Sequence, residues 1–113
     1  MYAINRTAVI IKPKQAMLDW INYTDIEHKF TMEEISCEHL TFLIPDFDYS
    51  DDAWKYIEMN YKQIFKFALF GWYTDEALWP KRRTYKMFNE WFDVQINSEV
   101  FDLVDEKIDK EEM

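Results

Sequence analysis

The stretch Trp79–Asp93, WPKRRTYKMFNEWFD, contains the features that decide the fold class. It holds two of the five Trp residues and the only run of three consecutive cations, Lys81–Arg83. Apolar side chains recur at helical spacing over Thr84–Trp91 and then alternate over Phe92–Ile96. The stretch therefore predicts a helix to about Trp91, followed at once by a strand.

Outward from this stretch, apolar periodicity predicts four further elements. Continuous or alternating apolar residues indicate strands at Ala3–Lys12 and His39–Ile44, the first of them central in its sheet. Steps of three and four indicate helices at Pro13–Tyr23 and Ser50–Phe70. Gly71 is expected to end the long helix in the left-handed conformation.

The order of these elements predicts an α+β fold in a single domain, residues 1–113. We expect a small sheet of three to four strands, with two to three helices mainly on one face. The segment Thr31–Glu34 fits a capping box and predicts a short helical turn. Residues from about 106 to 113 are expected to form a frayed acidic tail.

Composition excludes several classes of function. The net charge of −9 disfavours direct binding to nucleic acid or to an anionic membrane. A single glycine, Gly71, excludes glycine-rich phosphate loops, and no cofactor is expected. No run approaches the roughly 18 apolar residues of a membrane span. Basic residues interrupt the N-terminal apolar run, and Cys37 is the only cysteine, so we expect a reducing cytoplasm.

Metal binding and catalysis have weak support in the sequence. Cys37 and His39 are near neighbours, but structural zinc takes four ligands, and His28 is the only other histidine. A Cys–His nucleophile pair also needs a donor for the oxyanion, which no motif provides. The few cysteine and histidine residues therefore favour a protein without a catalytic or metal centre.

The predicted long helix carries apolar residues on two sides, which indicates packing on two sides. One stripe faces the sheet. A second, broken row consists of Tyr56, Met59, Phe67 and Phe70. A single sheet covers only the first stripe, so the second row is expected to meet either another helix or a second subunit.

The cations suggest a second kind of site. Lys12 and Lys14 lie at the junction of the first strand and helix, and Lys81–Arg83 precede the other predicted helix. If both junctions meet at one end of the sheet, they form an anion pocket for a phosphate, a carboxylate or an acidic peptide, bordered by Trp79 and Trp91. The alternative is that these cations pair with the chain's own carboxylates.

Acidic residues concentrate towards the C-terminal end of the sequence. From Glu99 onward there are seven acids and two bases, which account for five of the nine excess negative charges. A solvated end explains this distribution. A mimic of nucleic acid is the sharper alternative, and it requires carboxylates spaced like phosphates on an ordered surface.

Two motifs, VIIKPK (Val9–Lys14) and the opening stretch Trp79–Asp93, carry a resemblance. Over nearly its whole length the chain resembles a family of small uncharacterised bacterial proteins. The resemblance implies a cytosolic bacterial single domain. No activity is assigned to that family, so it implies no catalytic residues.

Together these observations favour a small cytosolic binding or protein-interaction module, either a homodimer or bound to another protein. The first alternative is an anion-binding protein, or a minor enzyme, that uses the basic pocket. The second alternative is the acidic nucleic-acid mimic.

Overall fold

Five strands and four helices make up the computed structural model, which describes all of residues 1–113. In chain order they are β1 (Tyr2–Ala3), β2 (Arg6–Pro13), α1 (Gln15–Thr24), α2 (Met32–Ile35), β3 (Leu40–Pro45), α3 (Ser50–Phe70), α4 (Tyr85–Trp91), β4 (Phe92–Asn97) and β5 (Phe101–Asp102). A short 3₁₀ helix, Glu76–Leu78, lies between α3 and α4. The predicted single α+β domain is confirmed.

Strand β2 is the centre of a three-stranded antiparallel sheet with the order β3-β2-β4. Val9 lies opposite Phe42 of β3 on one side and opposite Ile96 of β4 on the other. The prediction of one strand from Ala3 to Lys12 is wrong at its start. The strand is interrupted after Ala3, and the short strand β1 pairs with β5 in a separate two-stranded sheet.

The core lies between this sheet and the helices. Val9 and Ile11 of β2 are buried against Met17 of α1 and against Ile57 and Phe65 of α3. Each such burial contributes roughly 1.5–3 kcal/mol. Buried residues of all four helices share one core with the face of the sheet that carries Val9 and Ile11, so the prediction of helices mainly on one face is confirmed.

Helix α3 is the longest element, and its limits match the prediction. Asp51 and Asp52 lie in its first turn, where the helix dipole favours negative charge. The predicted left-handed conformation of Gly71 is wrong. Its φ of −63° is right-handed, because its amide continues the helical pattern by donating to the carbonyl of Phe67.

Two short helices begin at threonine caps. The Thr31 hydroxyl and the Glu34 carboxylate form the predicted capping box at the start of α2. The Thr84 hydroxyl accepts from the amide of Met87 at the start of α4 (3.1 Å). Helix α4 ends at Trp91 and β4 follows directly, as predicted. None of the helices is both long enough and apolar enough to cross a membrane.

Candidate functional site

Helix α3 presents three different surfaces. Its inner side, which includes Ile57, Phe65 and Leu69, is buried in the core. Two outer surfaces remain in contact with solvent. We call the first the aromatic row: Tyr56, Met59, Phe67 and Phe70. We call the second the basic concavity: Lys62, Gln63, Lys66, Lys81, Arg82 and Arg83.

The aromatic row is only partly covered by the chain itself. The Phe67 ring meets the ring of Phe42 on β3 edge to face, with centroids 6.0 Å apart. Phe67 remains 40% exposed, Phe70 54% and Met59 82%. Helix α4 contacts α3 elsewhere, where its Phe88 lies against the Phe65 ring. Another helix therefore does not cover the row. The other alternative, contact with a second subunit, stays a prediction.

The hydrogen-bonding direction of β3 follows from its neighbours. The Lys14 amide donates to the Trp91 carbonyl (2.8 Å), in the same register as the β2–β4 ladder. Successive residues of a strand direct their main-chain groups to opposite neighbours. Lys14 bonds to the β4 side, and Val9 is an odd number of residues away from it. Val9 therefore bonds towards β3. Its partner Phe42 therefore bonds to β2, and the residues on either side of Phe42 direct their amides and carbonyls outward.

Strand β3 is thus an open edge, with Thr41 and Leu43 offering unpaired main-chain groups. No loop of the chain takes up these groups. Edge strands are usually protected by charges, bulges or proline, yet Leu40–Pro45 contains no charged residue, and its one proline stands at its end. The other edge strand, β4, carries Asp93 and is more polar. Of the two edges, β3 is the less protected.

The basic concavity lies between α3 and the loop that precedes α4. Its volume is about 670 Å³, and none of its six lining residues is apolar or acidic. Five of the 13 basic residues of the chain line it. This local excess of positive charge is found in a protein whose net charge is −9.

Arg83 is the only cation of the concavity whose side chain donates a hydrogen bond to the loop. Its Nη1 donates to the Pro80 carbonyl (2.7 Å), and its guanidinium lies over the Trp79 ring, 5.8 Å from the centroid. Its own carbonyl accepts from the Tyr61 hydroxyl (3.1 Å). The Trp79 indole is fixed in turn by donating to the Tyr73 carbonyl (2.7 Å). The loop is therefore held in place before any ligand arrives.

The structure does not bring the two groups of cations of the predicted anion pocket into one concavity. Lys12 and Lys14 do not line the concavity. Lys12 lies opposite Asp93 in the sheet, and the Lys14 Nζ donates to the Asn89 carbonyl (2.9 Å). Trp79 is 6% exposed, and Trp91 lies against other core rings, so both mainly support the core.

Sequence reasoning missed Lys62 and Lys66. Their spacing of four on one helix was visible, because such residues are neighbours on a helix surface. Their proximity to Lys81–Arg83 was not visible, because it depends on how α3 packs beside the loop before α4. The hydrogen bonds of Arg83 and Lys14 go to main-chain carbonyls rather than to carboxylates.

A third concave surface involves the C-terminal end of the chain. Tyr2 and Leu43 line it together with residues 104–108, and its volume is about 560 Å³. The Tyr2 hydroxyl donates to the Asp105 carboxylate (2.6 Å), which raises the pKa of Tyr2. Residues after Asp102 form no helix or strand and are exposed. The nucleic-acid mimic therefore gains no supporting observation.

The residues considered for metal binding do not form a three-ligand group. Cys37 is exposed, and His28 lies edge-on to Phe30 with ring centroids 4.2 Å apart. The Nδ1 of His39 is buried without a partner. No group of three or more His, Cys, Asp or Glu side chains is arranged to hold a metal ion.

No known protein family, no curated protein and no solved structure matches this chain. The resemblance to a bacterial family therefore stays a prediction. The functional argument depends on the two outer surfaces of α3 and on the open edge of β3.

Proposed function

We propose that this protein is a small interaction module that forms a twofold-symmetric dimer through β3 and the aromatic row. One observation carries the proposal: an open, uncharged edge strand lies directly beside two aromatic rings in contact, the half-buried Phe42 and the exposed Phe67. An exposed apolar edge of this kind is a template for pairing with another strand. A cytoplasmic compartment belongs to the same proposal, and the free thiol of Cys37 is compatible with it.

The sequence of β3 is self-complementary in antiparallel pairing. With the twofold axis at Phe42, Thr41 lies opposite Leu43 of the partner subunit, and Leu43 lies opposite the partner's Thr41. Both residues direct their main-chain groups outward, so about four hydrogen bonds form across the axis. The sheets of the two subunits become continuous.

The same pairing brings aromatic side chains together. Phe42 and the partner's Phe42 lie on the axis and on the helical side of the sheet, where each already contacts a Phe67 ring. Aromatic pairs contribute about 0.5–1.5 kcal/mol beyond the burial of their area. Main-chain hydrogen bonds add about 0.5–1.5 kcal/mol each. Together with the burial of apolar area, these contributions favour the association of two subunits.

Sedimentation velocity tests the proposal with two variants. Thr41→Pro removes an outward amide without removing a bond to β2, and M59K/F70K adds charge to exposed positions of the aromatic row. We expect the wild type to be a dimer at micromolar concentration and both variants to be monomers with native circular dichroism.

The matched control is Y23K/I26K, which replaces two exposed apolar residues away from α3 and β3. It is expected to remain a dimer. The proposal is wrong if the wild type is monomeric at tens of micromolar, or if the control dissociates as readily as M59K/F70K. Should Thr41→Pro fail to fold, M59K/F70K and its control still decide the question.

A further inference from the structure

We propose that the basic concavity binds a small polyanion whose charge is carried by several phosphate groups. This site uses other side chains than the proposed dimer, although Met59 and Phe70 lie one helical turn from Lys62 and Lys66 on α3. Five cations line one concave surface, and no acidic side chain lies among them. Like charges held near one another repel, so the arrangement is unfavourable until an anion neutralises it.

Core packing does not explain these cations. Lys62, Lys66, Lys81 and Arg82 are exposed, and none of them donates a side-chain hydrogen bond to the loop or to the helices. Only Arg83 is partly buried and anchored. Four of the five charged groups are therefore free to contact a ligand, while the fifth fixes the position of the loop.

The lining of the concavity defines the class of ligand. Its volume of about 670 Å³ lies in the usual range of ligand sites. No apolar residue lines it, so its polar groups are all cationic or amide groups, which suit an anion better than an acyl chain. A terminal phosphate group carries about −1.5 to −2 charge, and an inner group of a linked chain carries about −1. Three linked groups therefore carry about −4 to −5, which matches five cations. Arginine adds bidentate geometry to phosphate oxygens.

A long nucleic acid fits the molecule less well. The chain outside the concavity has a strongly negative net charge, because the whole protein has a net charge of −9 although the concavity contributes five cations. A polymer that extended beyond the concavity would meet this negative surface. A compact polyphosphate avoids it.

Isothermal titration calorimetry with inorganic tripolyphosphate tests the inference, with orthophosphate and citrate as comparison ligands. We expect tripolyphosphate to bind at micromolar concentration and the other two at least about tenfold more weakly. In K62E/K66E the tripolyphosphate affinity is expected to fall by about tenfold or more, because charged hydrogen bonds are lost.

The matched control is K29E/K107E, which changes the net charge equally at two exposed positions outside the concavity. Its affinity is expected to stay within about twofold of the wild type. The inference is overturned if tripolyphosphate does not bind, or if the control loses as much affinity as K62E/K66E. Citrate binding as tight as tripolyphosphate binding would overturn the assignment to phosphate groups.

Discussion

The aromatic row lies on α3 and the basic concavity lies between α3 and the loop before α4, and their side chains gain free energy from a partner for different reasons. Apolar side chains such as Phe70 gain free energy when a partner removes them from water, with little dependence on salt. The cations around Arg82 gain from an opposite charge, and salt screens that gain. One helix thus supplies two surfaces whose responses to mutation and to ionic strength differ. That difference makes the two proposals separable.

The inner and outer aromatic residues of α3 give the largest expected contrast. Phe65 is fully buried against Phe88, Trp91 and Phe92, so Phe65→Ala should lower the free energy of unfolding by about 3–5 kcal/mol. Phe70→Ala should change it by less than about 0.5 kcal/mol in the monomer. Urea denaturation of both variants in the Thr41→Pro background, where we expect monomers, measures the contrast. Equal losses would mean that Phe70 belongs to the core.

Ionic strength should separate the two surfaces. Between about 0.1 and 1 M NaCl the screening length falls from about 10 to 3 Å. The affinity for tripolyphosphate should therefore fall by about tenfold or more, while the dissociation constant of the dimer changes by less than about threefold. Titration calorimetry and sedimentation equilibrium at both salt concentrations measure these effects. A dimer that dissociates at high salt would contradict an apolar interface.

The hydroxyl of Tyr61 provides a smaller test of the basic concavity. Tyr61→Phe removes the hydrogen bond to the Arg83 carbonyl and should lower the free energy of unfolding by about 0.5–1.5 kcal/mol. The loop is then less firmly held, so tripolyphosphate should bind a few times more weakly. Thermal denaturation and calorimetry give both values. The dissociation constant of the dimer is expected not to change. A change would show that the two surfaces are coupled.

Tyr73 lies outside both surfaces and makes the stability of the fold depend on alkaline pH. Tyr73 donates its hydroxyl to the Ile21 carbonyl (2.8 Å), and burial, followed by the charge of Asp25, raises the pKa of Tyr73. The unfolded chain loses this proton near pH 10, before the folded chain does. The stabilisation is therefore complete below about pH 10 and is lost as the pH rises through the folded pKa.

We expect Tyr73→Phe to reduce the alkaline loss of stability, measured by urea denaturation between about pH 8 and 11. Tyr73→Phe should change neither the dissociation constant of the dimer nor the affinity for tripolyphosphate. An unaltered pH profile in the variant would show that another group controls the alkaline transition.

Local signals predicted the architecture well. The cap at Thr84 and the change of period after Trp91 lie close together in sequence, and the structure confirms the helix and strand that they predict. The anion pocket was harder because it joins distant segments. Lys12 and Lys81 were grouped by residue type, whereas the packing of α3 sets Lys62 beside Lys81. Such proximity depends on tertiary packing, which a single sequence does not encode locally.

The open edge of β3 was also beyond reach of the sequence. The alternation in His39–Ile44 indicates a strand, but it does not tell whether that strand lies at the centre of the sheet or at its edge. Only the strand order and the register show that Thr41 and Leu43 have unpaired main-chain groups.

Sedimentation velocity of the wild-type protein in low and high salt, with and without tripolyphosphate, tests the separation of the two surfaces most directly. We predict a dimer at micromolar concentration under all four conditions, because the aromatic row and β3 associate independently of the basic concavity. A monomer under all conditions would contradict the account. So would a dimer that forms only when tripolyphosphate is present.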